Sequence, residues 1–82
     1  MFKIKSMKKE SHTNLTEKLG QKIRIERMKR KMSQEKLAEL AELNRNFIGM
    51  VERGESNITV KNLEAISLAF GMEIKDLFNF VI

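Results

Sequence analysis

The stretch from Ser33 to Gly54 constrains the fold of this chain more than any other part of it. It holds two short runs with the hydrophobic spacing of helices, and each run follows a residue that commonly caps a helix N-terminus, Ser33 and then Asn44. Gly54 suits the end of the second run, because glycine tolerates positive φ. The pattern predicts two short helices joined by a tight turn, a helix-turn-helix.

The start of the second helix carries the candidate base-reading side chains. In a helix-turn-helix this end enters the DNA major groove, and here it is Asn44-Arg45-Asn46. Arg45 can fork onto guanine O6 and N7 or contact only phosphate, and Asn46 can pair with adenine or cap a backbone group. By helical periodicity, the base-facing side comprises Arg45, Asn46, Gly49 and Met50, and the core side comprises Phe47, Ile48 and Val51.

Gly49 lies in the middle of this predicted helix. A glycine there costs about 1 kcal/mol relative to alanine. Close approach to DNA, or room for a neighbouring long side chain, would compensate for the cost. The simpler alternative is a solvated surface on which the glycine is tolerated.

The N-terminus of the first helix is a candidate phosphate-binding point. Free N–H groups and the helix dipole attract an anion at such an end, and the amide of Gln34 can add a donor. Contacts of this kind fix register without reading sequence. Ser33 is equally explained as an ordinary N-cap.

Composition limits the class of protein. The 82 residues make one small domain, and the chain has no Cys for disulfides or thiolate metal sites. No apolar run approaches ~18 residues, and the basic start lacks the apolar middle of a signal peptide. We therefore expect a cytoplasmic protein that does not associate with membranes.

The net charge of +5 is unevenly distributed. Residues 1–31 hold eleven Lys or Arg and three Asp or Glu, a net +8, whereas residues 32–82 hold five and eight, a net −3. A basic half joined to an acidic half indicates a polyanionic partner for one part only. A solvated helix with a lysine-rich start would give the same pattern.

The predicted fold is all-α, a compact five-helix bundle that contains the helix-turn-helix. Residues 1–13 are predicted to form a basic N-terminal arm, with its flexibility left open, and residues 14–82 a DNA-binding and dimerisation domain. The predicted helices run from about Thr16 to Arg30, from the Ser33 cap to about Ala41, from the Asn44 cap to before Gly54, from the Thr59 cap to Gly71, and from roughly Ile74 to Phe80.

Enzyme chemistry lacks the necessary residues. The single His12 has no Cys or carboxylate cluster at ligand spacing, so metal and nucleophile schemes are incomplete, and no Gly-rich phosphate loop occurs. We predict no catalytic residues, no metal and no cofactor.

The pattern I-R-x-x-R…S-Q-E-x-L-A…L-x-R-x-[YF]-I-x-x-[VI]-E-R-G…N-[IL]-[TS]-x-x-x-L-x-x-I resembles the Xre/lambda-repressor-like helix-turn-helix family. The segment LNRNFIGMVERGESNITVKNLEAI is most similar to controller proteins of restriction–modification systems. These are small homodimeric transcription regulators that time endonuclease expression. The resemblance covers Leu19 to Phe78 and implies a homodimer on a pseudo-palindromic double-stranded DNA operator, with no small-molecule ligand.

The resemblance also implies roles for individual residues. Arg27 and Glu52 match a structural ion pair of many members. The post-recognition loop, Arg53 to Asn57, matches a backbone-contacting loop. The implied phosphate contacts are Ser33, Gln34, Phe47, Arg53, Asn57 and Lys61, and the implied dimer interface comprises Ile74, Leu77, Phe78 and Phe80. The apolar end of the chain supports such an interface, although Phe78 can instead belong to the core.

Four departures from the family pattern bear on these expectations. Phe47 lacks the tyrosine hydroxyl that many members use on phosphate. Glu55-Ser56 replaces a loop position that is often basic. Lys31 replaces the usual Gly after helix 1, so a positive φ there would be strained by ~1 kcal/mol. Glu26 replaces a core-facing Leu, which implies either a slightly rotated helix or a second apolar patch of Ile25 and Met28 that Phe2 and Ile4 could cover.

The acidic half suggests an alternative function and one further partner. An antitoxin or other protein-sequestering module of a toxin–antitoxin, phage or plasmid locus is the alternative function, since an acidic surface can bind a basic protein. RNA polymerase is a candidate partner of an activator, and Glu35, Glu39 and Glu42 provide an acidic surface compatible with it. The same residues are equally explained as an ordinary solvated face.

Overall fold

The computed structural model describes the backbone of residues 2–80 and the side chains of residues 15–80. The described chain is all-helical, as predicted. Its elements are α1 (Phe2–Lys29), α2 (Gln34–Ala41), α3 (Arg45–Glu52), α4 (Val60–Phe70) and a closing 3₁₀ helix (Ile74–Phe78). The last element is shorter and more tightly wound than the predicted helix to Phe80. Over the described residues, none of the helices is long and apolar enough to cross a membrane.

The three predicted N-caps are confirmed, and they fix where α2, α3 and α4 begin. Each cap residue has extended backbone, and its side-chain oxygen accepts a backbone N–H hydrogen bond that the first turn would otherwise leave unmade. The backbone N–H of Lys36 donates to the Ser33 hydroxyl (2.9 Å), that of Asn46 to the Asn44 side chain (2.7 Å), and that of Asn62 to the Thr59 hydroxyl (3.1 Å).

Among residues 2–80, two non-glycine residues adopt the left-handed conformation where helices end. Lys31 has φ 55° after α1, so the turn keeps the positive φ that was predicted to strain a non-glycine residue there. Glu42 has φ 57° after α2, and the next N–H, that of Leu43, donates to the Ala38 carbonyl oxygen at 2.9 Å. This tight reversal lets α3 follow α2 almost immediately.

α1 starts at Phe2, well before the predicted start at Thr16. The predicted start is therefore wrong. Thr13, Asn14 and Thr16 are residue types that commonly cap a helix, but the helix runs through all three, so none of them marks its start. The division into an arm over 1–13 and a domain over 14–82 stays a prediction.

The core lies between the packed helices: α2 packs on α3 and α4, α1 packs on α3, and the 3₁₀ helix packs on α1 and α4. Its most buried side chains come from every element and are almost wholly inaccessible to solvent: Ile23, Leu37, Ile48, Ile66 and Leu77. The prediction that Leu77 belongs to a dimer interface is wrong, because its side chain is 0% exposed within a single chain. The rest of the chain already covers the Leu77 side chain, so none of its surface is left for a partner to contact.

Glu26 is buried at the predicted core-facing position of α1, with only 4% of its surface exposed. It is held by Lys22 (Nζ–Oε2 2.9 Å) and Arg30 (NH1–Oε1 2.6 Å) one turn away on either side. Ile25 and Met28 are more than half exposed and lie three positions apart on α1, which favours the predicted second apolar patch. The proposed covering by Phe2 and Ile4 lies outside the described side chains.

Candidate nucleic-acid interface

The N-terminal turn of α3 presents polar side chains to solvent. Arg45 and Asn46 are both exposed, and Met50 one turn further is 38% exposed. The Asn44 side chain serves as the N-cap of α3, so the Asn46 side chain is not needed for capping and can contact an outside partner. Three of the four predicted base-facing residues therefore share an accessible side of α3.

Gly49, the fourth of that set, is buried and does not itself present a surface. A Cβ on Gly49 would lie 3.2 Å from NH1 of Arg53 and 3.7 Å from Oε1 of Gln34. Its prediction as a direct base contact is therefore wrong, and so is the alternative of a solvated surface. The glycine provides room for two neighbouring long side chains.

The N-terminus of α2 lies next to this surface. Ser33 is exposed, and its hydroxyl oxygen accepts the Lys36 N–H, so the hydroxyl proton is left to donate. Gln34 is half-buried and donates through Nε2 to Oε1 of Glu52 at 3.0 Å. The second Nε2 hydrogen and the helix N–H groups remain suited to a phosphate oxygen.

Arg27 and Glu52 form a bidentate ion pair, with Nε–Oε2 at 2.7 Å and NH2–Oε1 at 3.1 Å. Their side chains are 12% and 3% exposed. Arg27 NH1 also donates to the Met32 carbonyl oxygen at 2.7 Å, immediately before the Ser33 cap. The pair thus connects α1, the end of α3 and the start of α2.

Close packing of α1 on α3 supports the same arrangement. Gly20 is buried against the last turn of α3, where any Cβ would collide with the carbonyl oxygens of Val51 and Glu52. Buried contacts with α1 therefore hold α3 and the start of α2 in place.

The flank of the surface carries further polar side chains. Arg53, Asn57 and Lys61 are exposed, whereas the Phe47 side chain is half-buried against the core and offers no side-chain donor. Arg53 Nε pairs with Oε2 of Glu55 at 3.0 Å, and this hydrogen bond lowers the pKa of the Glu55 carboxyl and raises that of the Arg53 guanidinium.

The remaining residues predicted at a dimer interface differ in exposure. Phe78 is 40% exposed, whereas Ile74 and Phe80 are half-buried. The Phe78 and Phe80 rings lie 6.5 Å apart in a tilted arrangement. Phe78 also borders a mainly apolar cavity of about 330 Å³ between α1, the end of α3, the following loop and α4, lined by Leu15, Leu19, Val51, Ile58 and Leu63 among others.

Sequence reasoning missed two contacts of this region. The pairing of Arg53 with Glu55 joins opposite charges two positions apart, so local charge pattern could have indicated it. The hydrogen bond between Gln34 and Glu52 joins two helices and has no local signal. Among the described side chains, no group of three His, Cys, Asp or Glu could hold a metal ion, and His12 lies outside them.

Comparison with known proteins gives consistent matches. A sequence model described as "Helix-turn-helix" matches residues 23–77. The chain is 48% identical over 62 residues to control protein C.BamHI of Bacillus amyloliquefaciens, covering 74% of this chain and 76% of that one. It is 38% identical over 56 residues to the immunity repressor protein of Bacillus phage phi105, covering 68% of this chain and 39% of the repressor.

A solved structure has the same fold. The restriction-modification controller protein C.AhdI from Aeromonas hydrophila superposes with a TM-score of 0.75 at 37% identity, over 76% of this chain and 94% of that one. Both the sequence relatives and this neighbour include proteins named for the control of restriction–modification systems. This chain belongs to the helix-turn-helix family of DNA-binding transcription regulators, among relatives that include the restriction–modification control proteins.

Proposed function

We propose that this protein is a sequence-specific transcription regulator of the controller type, which binds a pseudo-palindromic operator as a homodimer. The observation that carries the proposal is the exposed pair Arg45 and Asn46 at the capped start of α3. Arg and Asn are the side chains that pair bidentately with guanine and adenine in the major groove.

The start of α2 supplies the contacts that fix register. Ser33, Gln34 and the adjacent N–H groups donate to one phosphate, and Asn57 and Lys61 lie exposed beyond α3 for the next stretch of backbone. Phe47 contributes through its main chain only. The Arg27–Glu52 pair behind these helices maintains their spacing.

A two-fold dimer would present two such surfaces one helical turn apart, ~34–36 Å. Its interface comprises Ile74, Phe78 and Phe80, with Phe78 as the exposed aromatic anchor. The exposed acidic residues of α2, Glu35, Glu39 and Glu42, are the candidate contact for RNA polymerase. The protein acts on DNA in the cytoplasm and catalyses no reaction.

Selection of binding sites from a random duplex library tests this function. We expect the wild-type protein to enrich a two-fold symmetric motif, and fluorescence anisotropy to show at least a thousandfold tighter binding to that motif than to unrelated duplex, as specific binders do. Enrichment of no motif would contradict the proposal and favour the protein-sequestering alternative.

A further inference from the structure

We propose that Arg53 is a specificity-determining residue and reads a base edge from its position over Gly49. The inference rests on the proposed function, since it concerns how the same surface reads DNA. It departs from the phosphate contact that resemblance to the family implies for this arginine.

The position of the guanidinium is the first argument. Arg53 follows Gly49 by four positions, so the two residues share one side of the helix. Helical side chains lean toward the N-terminus, and NH1 of Arg53 accordingly lies 3.2 Å from where a Gly49 Cβ would be. The cation therefore lies along the side that carries Arg45 and Asn46, and not beyond the end of α3.

The second argument is the part of the guanidinium that remains open. The Glu55 carboxylate accepts a hydrogen bond from Nε of Arg53 at 3.0 Å. The opposite edge, NH1 and NH2, keeps the two parallel donors that match guanine O6 and N7. The Arg53 side chain is 59% exposed, so that edge is accessible. Glu55 is thereby a positioning residue that orients the fork.

The third argument is the absence of a side chain at position 49. A larger residue there would place its own side chain in the middle of the base-facing side. Instead, the Gln34 amide lies within 3.9 Å of the Cβ position on one flank, held by its hydrogen bond to Glu52, and the Arg53 guanidinium lies nearest. The arginine thus fills the space in which residue 49 would meet the bases.

Binding to single-base variants of the selected motif shows whether Arg53 reads a base or binds phosphate. The wild-type motif is determined first, and anisotropy then measures each single-base change for wild type, Arg53→Ala and Arg53→Lys. We expect Arg53→Ala to lose a preference of roughly tenfold to a hundredfold at one base pair per half-site and to keep the other preferences. Arg53→Lys should recover affinity for all sequences but not that preference, because lysine offers a point charge without the fork.

Arg24→Ala is the matched control, since it removes an exposed arginine from α1. It should leave every base preference unchanged. Equal weakening of all sequences by Arg53→Ala, with recovery in Arg53→Lys, would assign Arg53 to phosphate and overturn the proposal. A wild-type protein that selects no motif would instead overturn the proposed function.

Gly49→Leu provides an independent variant, because its side chain occupies the space of the guanidinium while leucine favours the helix. We expect it to stay folded in a thermal melt and to lose the same base preference as Arg53→Ala. The double variant should select the same motif as either single variant. A folded Gly49→Leu protein that keeps the preference, or that binds no DNA at all, would overturn the role of Gly49.

Discussion

Arg30 contacts Phe70 in two ways that join α1 to the C-terminal end of α4. Its guanidinium lies 4.8 Å from the centre of the Phe70 ring, and Nε and NH2 donate to the Phe70 carbonyl oxygen at 3.2 and 3.0 Å. The third nitrogen, NH1, donates to the buried Glu26 carboxylate at 2.6 Å. One side chain thus satisfies a helix-end carbonyl and a buried anion.

We expect Arg30→Ala to lower the free energy of unfolding by ~2–3 kcal/mol. The change removes the shortest partner of Glu26, two hydrogen bonds to a helix end and the cation–π contact. Urea unfolding followed by circular dichroism measures the effect. Lys29→Ala is the control, because Lys29 is 64% exposed and lies 3.4 Å from the same carboxylate, so it should cost less than ~1 kcal/mol. Equal losses for the two variants would contradict the role of Arg30.

Glu26 should make stability depend on pH below 4.5. The hydrogen bonds from Arg30 and Lys22 lower its pKa from 4.5 to about 2. Its contribution is therefore fully present above pH 4.5 and is lost as the pH falls toward 2, because the unfolded state takes up the proton first. By linkage the contribution is roughly 3 kcal/mol.

Comparison of wild type with Glu26→Gln isolates this contribution from the other carboxyls. Urea unfolding between pH 2 and pH 7 should show the wild type more stable at neutral pH, and the two curves should converge near the pKa of about 2. A constant difference across that range would show that charge on Glu26 does not stabilise the fold.

The same residues show how far sequence alone could lead. Caps are local, so Ser33, Asn44 and Thr59 were sufficient to locate three helix starts. The sequence showed that Glu26 replaces a core leucine, but it did not show how the buried carboxylate is stabilised. That depends on Lys22 and Arg30, one turn away on α1, and on the contact of Arg30 with α4.

The candidate site was predictable to a similar depth. Helical periodicity placed Gly49 on the same side of α3 as Arg45, but it could not show that neighbouring side chains bury the glycine. Covering by Arg53 depends on side-chain direction, and covering by Gln34 depends on how α2 meets α3. Leu77 was misassigned for a related reason, since an apolar residue near a chain end suits a core and an interface equally well in sequence.

Arg45→Ala should weaken operator binding by ~1–3 kcal/mol per half-site and relax the preference at one base pair. The reason is the exposed position of Arg45 in the first turn of α3. Anisotropy titrations against the selected motif and its single-base variants measure both effects, with Arg24→Ala as the charge-matched control. Unchanged affinity and selectivity in Arg45→Ala would remove it from the interface.

Gln34→Ala should weaken binding to all sequences by a similar factor. Its amide lies at the start of α2, where we expect contacts to phosphate, and the substitution also removes one hydrogen bond to Oε1 of Glu52. The ratio of specific to non-specific affinity, measured by anisotropy at one salt concentration, should therefore stay constant. A changed base preference in a site selection would show that Gln34 reads sequence.

Phe78→Asp should give a folded monomer that binds its operator more weakly than wild type. Phe78 is 40% exposed in a single chain, so a charge can remain in solvent there, whereas it would be desolvated in a dimer interface. Sedimentation velocity and a thermal melt report assembly and folding separately. Leu77→Asp is the contrasting variant, because that side chain is 0% exposed and its replacement should unfold the chain. An unfolded Phe78→Asp chain would assign Phe78 to the core, and a wild-type protein that stays monomeric at tens of micromolar would rule out the dimer.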